Sequence, residues 1–157
     1  MNLRFYVNNA MIATLYVILV YVFAFMSFEA IQFRIAEALL IVFLFNKKTI
    51  SGLLIGTFIA NYLLSPIGLL DAFVGTSATL IALLLMQSVK SLWIKLLIPG
   101  IVNGLIIGLM LTLLYALPFA EMVFWVFLGE SVVMIVVGYP FYLTLKKNTL
   151  FQELIHF

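Results

Sequence analysis

Charge is scarce in this sequence, and that scarcity decides the class of protein. Of 157 residues, 66% are apolar and only 9% are charged. Eight basic and six acidic residues cannot provide the polar surface that a soluble domain of this length needs. Lipid is therefore the expected solvent, and in lipid only helices and closed barrels satisfy every backbone hydrogen bond.

Cysteine is absent, which excludes disulfides and thiol-ligated metal sites. The single histidine, His156, has no metal-ligating neighbours, so we predict no metal site. A net charge of +2 with scattered basic residues predicts no nucleic-acid partner. Since neither a catalytic set of residues nor a nucleotide-binding loop is recognisable, we expect a protein that is not an enzyme and holds no cofactor.

Six apolar runs remain, each bounded by charges or turn residues. They lack the alternating polarity of barrel strands and fit helices that cross a hydrocarbon core about 30 Å thick. We predict an all-α membrane protein with a single domain, residues 1–157. The expected transmembrane helices are 8–26, 33–45, 50–64, 70–88, 96–116 and 122–145. The second is short for a full crossing.

The basic residues indicate how these helices are oriented. Seven of the eight lie at the termini or in the second and fourth loops: Arg4, Lys47, Lys48, Lys90, Lys95, Lys146 and Lys147. The other three loops contain none, and Arg34 lies just inside the second span. This distribution follows the positive-inside rule, so both termini are predicted in the cytoplasm.

Ionisable side chains inside spans are costly and tend to mark function. Glu130, near the middle of the sixth span, has no basic neighbour in sequence. Its alternative interpretation is a protonated carboxyl bonded to another helix. Glu37 lies three residues after Arg34, so these two are either ligand contacts or a pair that neutralises itself. Asp71 begins the fourth span, where the helix dipole also favours an acid.

Two amides and a tryptophan complete the set of candidates. Asn103 in the fifth span either contacts a ligand or bridges two helices, and Asn61 is expected at the membrane interface. Trp125 either anchors the interface or faces a cavity. Five of these candidates belong to the outer half or the middle of the bundle and predict a pocket open to the outside: Glu37, Asp71, Asn61, Trp125 and Glu130.

Small residues recur four positions apart in the odd-numbered spans. The pairs are Gly52 with Gly56, Gly104 with Gly108, and the looser Ala10 with Thr14. Such pairs let helix backbones approach closely. They indicate either ordinary packing within the bundle or a face on which a partner docks.

Several segments together resemble the QueT family, the substrate-binding (S) components of energy-coupling factor (ECF) transporters for queuosine precursors. The matching segments are 9–16, 32–39, 52–56 with 60–61, 68–71 with 75–80, 103–108, and 129–131 with 138–140. The resemblance implies a six-helix S component in a bacterial cell membrane. It also implies a transmembrane T component and two ABC ATPases as partners, which use ATP while this chain binds the ligand.

The implied ligand is a deazaguanine base such as preQ1, whose donors suit carboxylates and whose flat ring suits aromatic stacking. The predicted substrate contacts are Gln32, Phe33, Arg34, Glu37, Asn61, Asp71, Asn103, Trp125 and Glu130. Contact with the T component is expected at Ala10, Ala13 and Thr14, a spacing that departs from the Ala-xxx-Ala pattern of S components. The alternatives are an S component for riboflavin, thiamine or folate, and a membrane scaffold of the MreD kind.

Overall fold

The structure, a computed structural model, describes residues 3–28 and 32–156, so residues 29–31 of the first predicted loop lie outside it. Helix accounts for 87% of the described residues, and none of them forms a strand. The α-helices are α1 (Leu3–Val22), α2 (Ala24–Ser27), α3 (Ile50–Leu64), α4 (Leu69–Ser88), α5 (Leu92–Tyr115), α6 (Phe119–Val133), α7 (Tyr139–Lys147) and α8 (Thr149–Ile155). Two 3-10 helices, Ile35–Leu44 and Lys47–Thr49, and a π-helical segment, Met134–Gly138, complete the chain.

The all-helical prediction is confirmed. Four helices are long and apolar enough to cross a membrane: Leu3–Val22, Leu69–Ser88, Leu92–Tyr115 and the continuous run Phe119–Lys147. The second and third predicted spans also form helices, but these have 10 and 15 residues. Length and composition therefore support four crossings directly, and the two shorter helices pack among the four.

The second predicted span forms a 3-10 helix of ten residues, Ile35–Leu44. This helix type rises about 2.0 Å per residue against about 1.5 Å in an α-helix, so ten residues reach about 20 Å. Residues 36–43 are all buried. The other helices therefore enclose this segment, and it does not need the length of a helix that faces lipid.

Glycines bring α1 and α3 into close contact. A Cβ atom added at Gly52 would lie 2.5 Å from the carbonyl oxygen of Asn9, and one at Gly56 would lie 2.8 Å from the Cβ of Tyr16. The Asn9 side-chain oxygen also accepts a hydrogen bond from the Gly52 N–H at 2.6 Å. That N–H belongs to the first turn of α3, where no backbone partner exists, so α1 caps α3.

A second glycine contact joins α5 to α6. Added Cβ atoms at Gly104 and Gly108 would lie 3.1 Å and 3.0 Å from backbone atoms of Val123. We call the α1–α3 and α5–α6 contacts the glycine seams. Both glycine pairs noted in the sequence therefore pack helices within the chain, as the bundle-packing interpretation predicts.

The sixth predicted span changes from α-helical to π-helical hydrogen bonding close to Glu130. The Tyr139 N–H donates to the carbonyl of Met134, five residues earlier, within the π-helical segment. Pro140 follows directly and has no N–H to donate, so the wider turn accommodates the break in the ladder. The π-helical segment begins four residues after Glu130.

The two ends of the bundle differ in charge. One end carries the turns at 65–68 and 116–118, and we call it the acidic end because Asp71 and Glu121 begin helices there. The opposite end, which we call the lysine end, carries Lys47, Lys48, Lys90, Lys95, Lys146 and Lys147. α1 and α3 both run from the lysine end toward the acidic end.

Candidate functional site

A cluster of buried polar side chains fills the bundle toward the acidic end. Nη2 of Arg34 donates to Oδ1 of Asn61 at 3.1 Å and to Oδ2 of Asp71 at 3.4 Å. All three residues are at most 3% exposed. The Phe28 ring lies 5.6 Å from the guanidinium carbon, within the range of a cation–π contact.

The turn between α3 and α4 explains why Asn61 and Asp71 meet. Gly68, with φ +59°, occupies a region that glycine tolerates best, and α4 starts immediately after it. The chain therefore reverses between the two residues, and Nδ2 of Asn61 donates to the carbonyl of Asp71 at 3.3 Å.

Glu37 belongs to the same cluster through α1. Its Oε1 accepts a hydrogen bond from the Tyr16 hydroxyl at 2.7 Å, and both residues are at most 1% exposed. The expected pairing of Glu37 with Arg34 is not a direct contact, because the guanidinium bonds to Asn61 and Asp71 instead. Arg34 interacts with Glu37 through space.

Glu130 is held by the neighbouring helix. Nδ2 of Asn103 on α5 lies 2.8 Å and 2.6 Å from the two carboxyl oxygens of Glu130 on α6. The two residues are 1% and 0% exposed. Asn103 thus bridges two helices, and Glu130 bonds to an adjacent helix. That either residue also contacts a ligand stays a prediction.

Carboxyl groups outnumber basic groups in this cluster. The Arg34 guanidinium lies near three of them, Asp71, Glu130 and Glu37, and forms an ion pair with Asp71. Burial without a paired cation favours the neutral form of a carboxyl group, and a cation placed beside it favours the charged form. A positively charged ligand would therefore supply Glu37 and Glu130 with a cation that the described residues do not pair with them.

Five of the predicted contacts also carry a buried polar atom that lacks a hydrogen-bond partner within the described part of the chain. These atoms are Gln32 Oε1, Arg34 Nη1, Glu37 Oε2, Asp71 Oδ1 and Asn103 Oδ1. Protein interiors leave few such atoms. Four hydroxyl oxygens in the described residues lack a partner as well, those of Thr76, Thr79, Thr112 and Ser131. The five atoms on predicted contacts are available to a ligand, an observation that is independent of charge.

A cavity of about 180 Å³ adjoins the cluster at the acidic end. Gln32, Asp71 and Phe28 line it together with residues of the turns at 65–67 and 117. Its volume is below the roughly 300–1,000 Å³ typical of drug-sized ligands, which favours a small molecule. Glu37 and Glu130 are both 0% exposed and lie deeper in the bundle.

The structure places the other three predicted substrate contacts, Asn61, Phe33 and Trp125, in different surroundings. Asn61 is 1% exposed inside the cluster, and its level relative to the membrane interface stays a prediction. Phe33 is half-buried beside Arg34. Trp125 packs against Met110, Met122 and their apolar neighbours and does not line the cavity, although Met110 and Met122 do.

Sequence reasoning did not single out two members of this site. Tyr16 lies in a segment that carried the family resemblance, but only the structure shows its hydroxyl on Glu37. Phe28 lies in a loop, and nothing in the sequence distinguishes it as a member of the site. A buried carboxyl group without a basic partner needs another hydrogen-bond donor, and a tyrosine hydroxyl such as that of Tyr16 is one.

The three residues predicted to dock a partner do not share one face. Ala13 is 7% exposed, and its backbone would lie 3.0 Å from a Cβ at Gly56. Ala10 and Thr14 are exposed and line an apolar groove of about 750 Å³ between α1 and the C-terminal helices. Only these two can reach another protein without rearrangement.

Comparison with known proteins decides the family. A model of the QueT transporter family matches residues 6–147, which is nearly the whole chain. The chain belongs to the QueT transporter family. No curated protein and no solved structure matches it. The match places every residue of the polar cluster inside the family region, and family and apolar helices together indicate a membrane transport protein.

Across residues 3–28 and 32–156, no three His, Asp or Glu side chains are arranged to hold a metal ion. Asp71 is engaged by Arg34, and Glu130 by Asn103. The site of this QueT family member is thus organised around hydrogen bonds and charge.

Proposed function

We propose that this protein is the S component of an ECF importer, and that its buried cluster binds a queuosine precursor, a deazaguanine base such as preQ1. Membership of the QueT transporter family supports the transport role. The observation that carries the substrate class is the set of unpartnered polar atoms in the cluster.

The unpartnered atoms complement a deazaguanine in number and kind. Four are oxygens that accept hydrogen bonds: those of Gln32, Glu37, Asp71 and Asn103. A deazaguanine presents N–H groups on both of its rings, and its one carbonyl oxygen suits the free donor, Nη1 of Arg34. A ligand with more donors than acceptors therefore fits better than an anionic or acceptor-rich vitamin.

The excess of carboxyl groups favours preQ1 in particular. Its aminomethyl group is a cation, and Asp71, Glu37 and Glu130 outnumber the one guanidinium. A cationic substituent placed beside these carboxyl groups would stabilise their charged forms.

In this proposal six helices cross the membrane with both termini in the cytoplasm. The lysine end then faces the cytoplasm, in agreement with the positive-inside rule. The acidic end faces outward, so the cavity beside Gln32 and Asp71 is on the side from which an importer takes its ligand.

The proposed partners are a T component and two ABC ATPases, which hydrolyse ATP. Ala10 and Thr14 are the exposed small residues of α1 that fit a docking helix at close range. Co-expression with a T component and its ATPases tests this point: the wild type should co-purify with them, and Ala10→Leu should not. Recovery of cell-wall assembly proteins instead would support the scaffold alternative.

The substrate proposal is tested by thermal unfolding of the purified protein with a panel of ligands. The panel contains preQ1, the same base with a neutral cyano group, guanine, riboflavin, thiamine and folate. A ligand that binds only the folded state at 100 times its Kd adds about 2.7 kcal/mol.

We expect the largest stabilisation from preQ1, a smaller one from the cyano base, and none from the vitamins. Equal stabilisation by the two deazaguanines would refute the role of the carboxyl excess. Stabilisation by a vitamin and not by either deazaguanine would refute the substrate class while leaving the transport role standing.

A further inference from the structure

A second polar cavity lies at the lysine end, away from the candidate substrate site. It has a volume of about 330 Å³ and is lined by Lys90, Lys95 and Lys146 together with apolar and amide side chains. The three lysines come from three places: the loop after α4, the first turn of α5, and the end of α7. We call this cavity the lysine pocket.

The pocket concentrates positive charge without an acidic partner. None of its three lysines has a carboxylate within salt-bridge distance in the described part of the chain. The neighbouring acid in sequence, Glu153, is exposed on α8 and does not line the pocket. Like charges gathered in this way repel one another, so an anion between them would relieve the repulsion.

The start of α5 adds to the positive electrostatic potential at the lysine pocket. Its first internal hydrogen bond runs from the Lys95 N–H to the Ser91 carbonyl, so the preceding N–H groups have no helical partner. No acidic residue lies in that first turn, and the Ser91 side chain does not cap it. Lysines at the positive end of a helix dipole are unfavourable unless a negative group is bound there.

The surroundings of the pocket indicate that this anion belongs to a lipid. Trp93, 53% exposed, stacks on Tyr139 with ring centroids 4.9 Å apart, at the same end of α5. Exposed aromatic residues of this kind mark the level of lipid headgroups. The pocket also has an apolar wall, made by Leu44, Phe45 and Leu92, against which an acyl chain or glycerol backbone can lie.

We propose that the lysine pocket binds the phosphate of an anionic phospholipid. The three ammonium groups and the free N–H groups of α5 contact the phosphate, and the apolar wall contacts the lipid body. Basic pockets between transmembrane helices are known to hold such headgroups. A bound lipid would join the α4–α5 loop to α7, two parts of the chain that are distant in sequence.

The test measures binding of short-chain phosphatidylglycerol to the detergent-purified full chain by thermal shift. Phosphatidylcholine of the same chain length and inorganic phosphate are measured in parallel. The pocket variant is Lys90→Gln/Lys95→Gln/Lys146→Gln. The matched control is Lys47→Gln/Lys48→Gln/Lys147→Gln, which removes the same charge from the same end without touching the pocket.

We expect phosphatidylglycerol to stabilise the wild type and the control, and its Kd to weaken by about tenfold or more in the pocket variant. Phosphatidylcholine and inorganic phosphate should have little effect. An equal loss in both variants would show a diffuse surface effect and overturn the proposal. Stabilisation by inorganic phosphate alone would identify a free-anion site, and equal stabilisation by phosphatidylcholine would remove the role of charge.

If the triple variant does not fold, a single pair of substitutions makes the same comparison. Lys146→Gln changes a pocket residue, and Lys147→Gln changes its neighbour on the same helix, which is also exposed but does not line the pocket. Only the first should weaken phosphatidylglycerol binding. Equal binding by the two single variants would also overturn the proposal.

Discussion

The glycine seams and the polar cluster are two parts of one bundle interior with opposite chemistry. In the seams, backbones touch at Gly52, Gly56, Gly104 and Gly108, and the one buried amide, Asn9, uses its oxygen to cap α3. In the cluster, several polar atoms have no partner and carboxyl groups outnumber cations. The seams therefore join helices through close packing, whereas the cluster leaves polar groups available, as the proposed binding role requires.

The largest effect on stability should come from breaking the one charge pair in the cluster. Arg34→Met removes the guanidinium and leaves Asp71 buried without its cation, at a cost of about 3–5 kcal/mol. Unfolding by SDS titration measures this loss. Lys147→Met, at an exposed position, should change stability by at most about 0.5 kcal/mol.

The double variant Arg34→Met/Asp71→Leu sharpens that prediction. Removing both charges should recover much of the stability, because replacing a buried pair by apolar residues is often neutral or stabilising. No recovery in the double variant would mean that the pair is not what stabilises this part of the cluster.

A smaller loss should follow from filling a glycine seam. Gly56→Leu places a side chain where its Cβ already lies 2.8 Å from Tyr16, and overpacking of this kind costs about 1–3 kcal/mol. Ser77→Leu on the exposed face of α4 is the control and should be nearly neutral. Unchanged stability of Gly56→Leu in SDS titration would show that α1 and α3 are not in close contact.

The smallest of these losses should come from the polar cap within the same seam. Asn9→Ala leaves the Gly52 N–H without its acceptor, which costs about 1–2 kcal/mol. Asn8→Ala makes the same change one position earlier, where the side chain donates to the carbonyl of Leu154 on α8 in an exposed bond. A greater loss for Asn8→Ala than for Asn9→Ala would contradict the assignment of the cap.

Helix positions could be predicted from the sequence because apolar runs and their polar borders are local features. The third predicted span, 50–64, coincides with Ile50–Leu64, and the fourth begins one residue early, at Leu69. The 3-10 form of the second span was not predicted, and nothing in its residue pattern distinguishes it from a short α-helix. The short length of the second predicted span was the one sequence feature that indicated an irregular helix.

The residues of the candidate site could be predicted from their type, but which of them bond to one another could not. Buried Glu37, Asp71, Asn103 and Glu130 were chosen because such groups are costly in a membrane. Which of them would meet Arg34 depends on the fold, and sequence spacing favoured Glu37 whereas the bond is to Asp71. Long-range pairing of this kind has no local signal.

The most direct test of the account compares two carboxyl-to-amide changes on α6. Glu130→Gln alters the buried cluster, and Glu121→Gln alters an exposed residue in the first turn of the same helix. The wild type and both variants are titrated with preQ1 by calorimetry, with thermal unfolding as the check on folding. The account predicts that Glu130→Gln weakens the Kd roughly tenfold or more and that Glu121→Gln leaves it unchanged. Equal preQ1 affinity in two folded variants would contradict the placement of the ligand in the buried cluster.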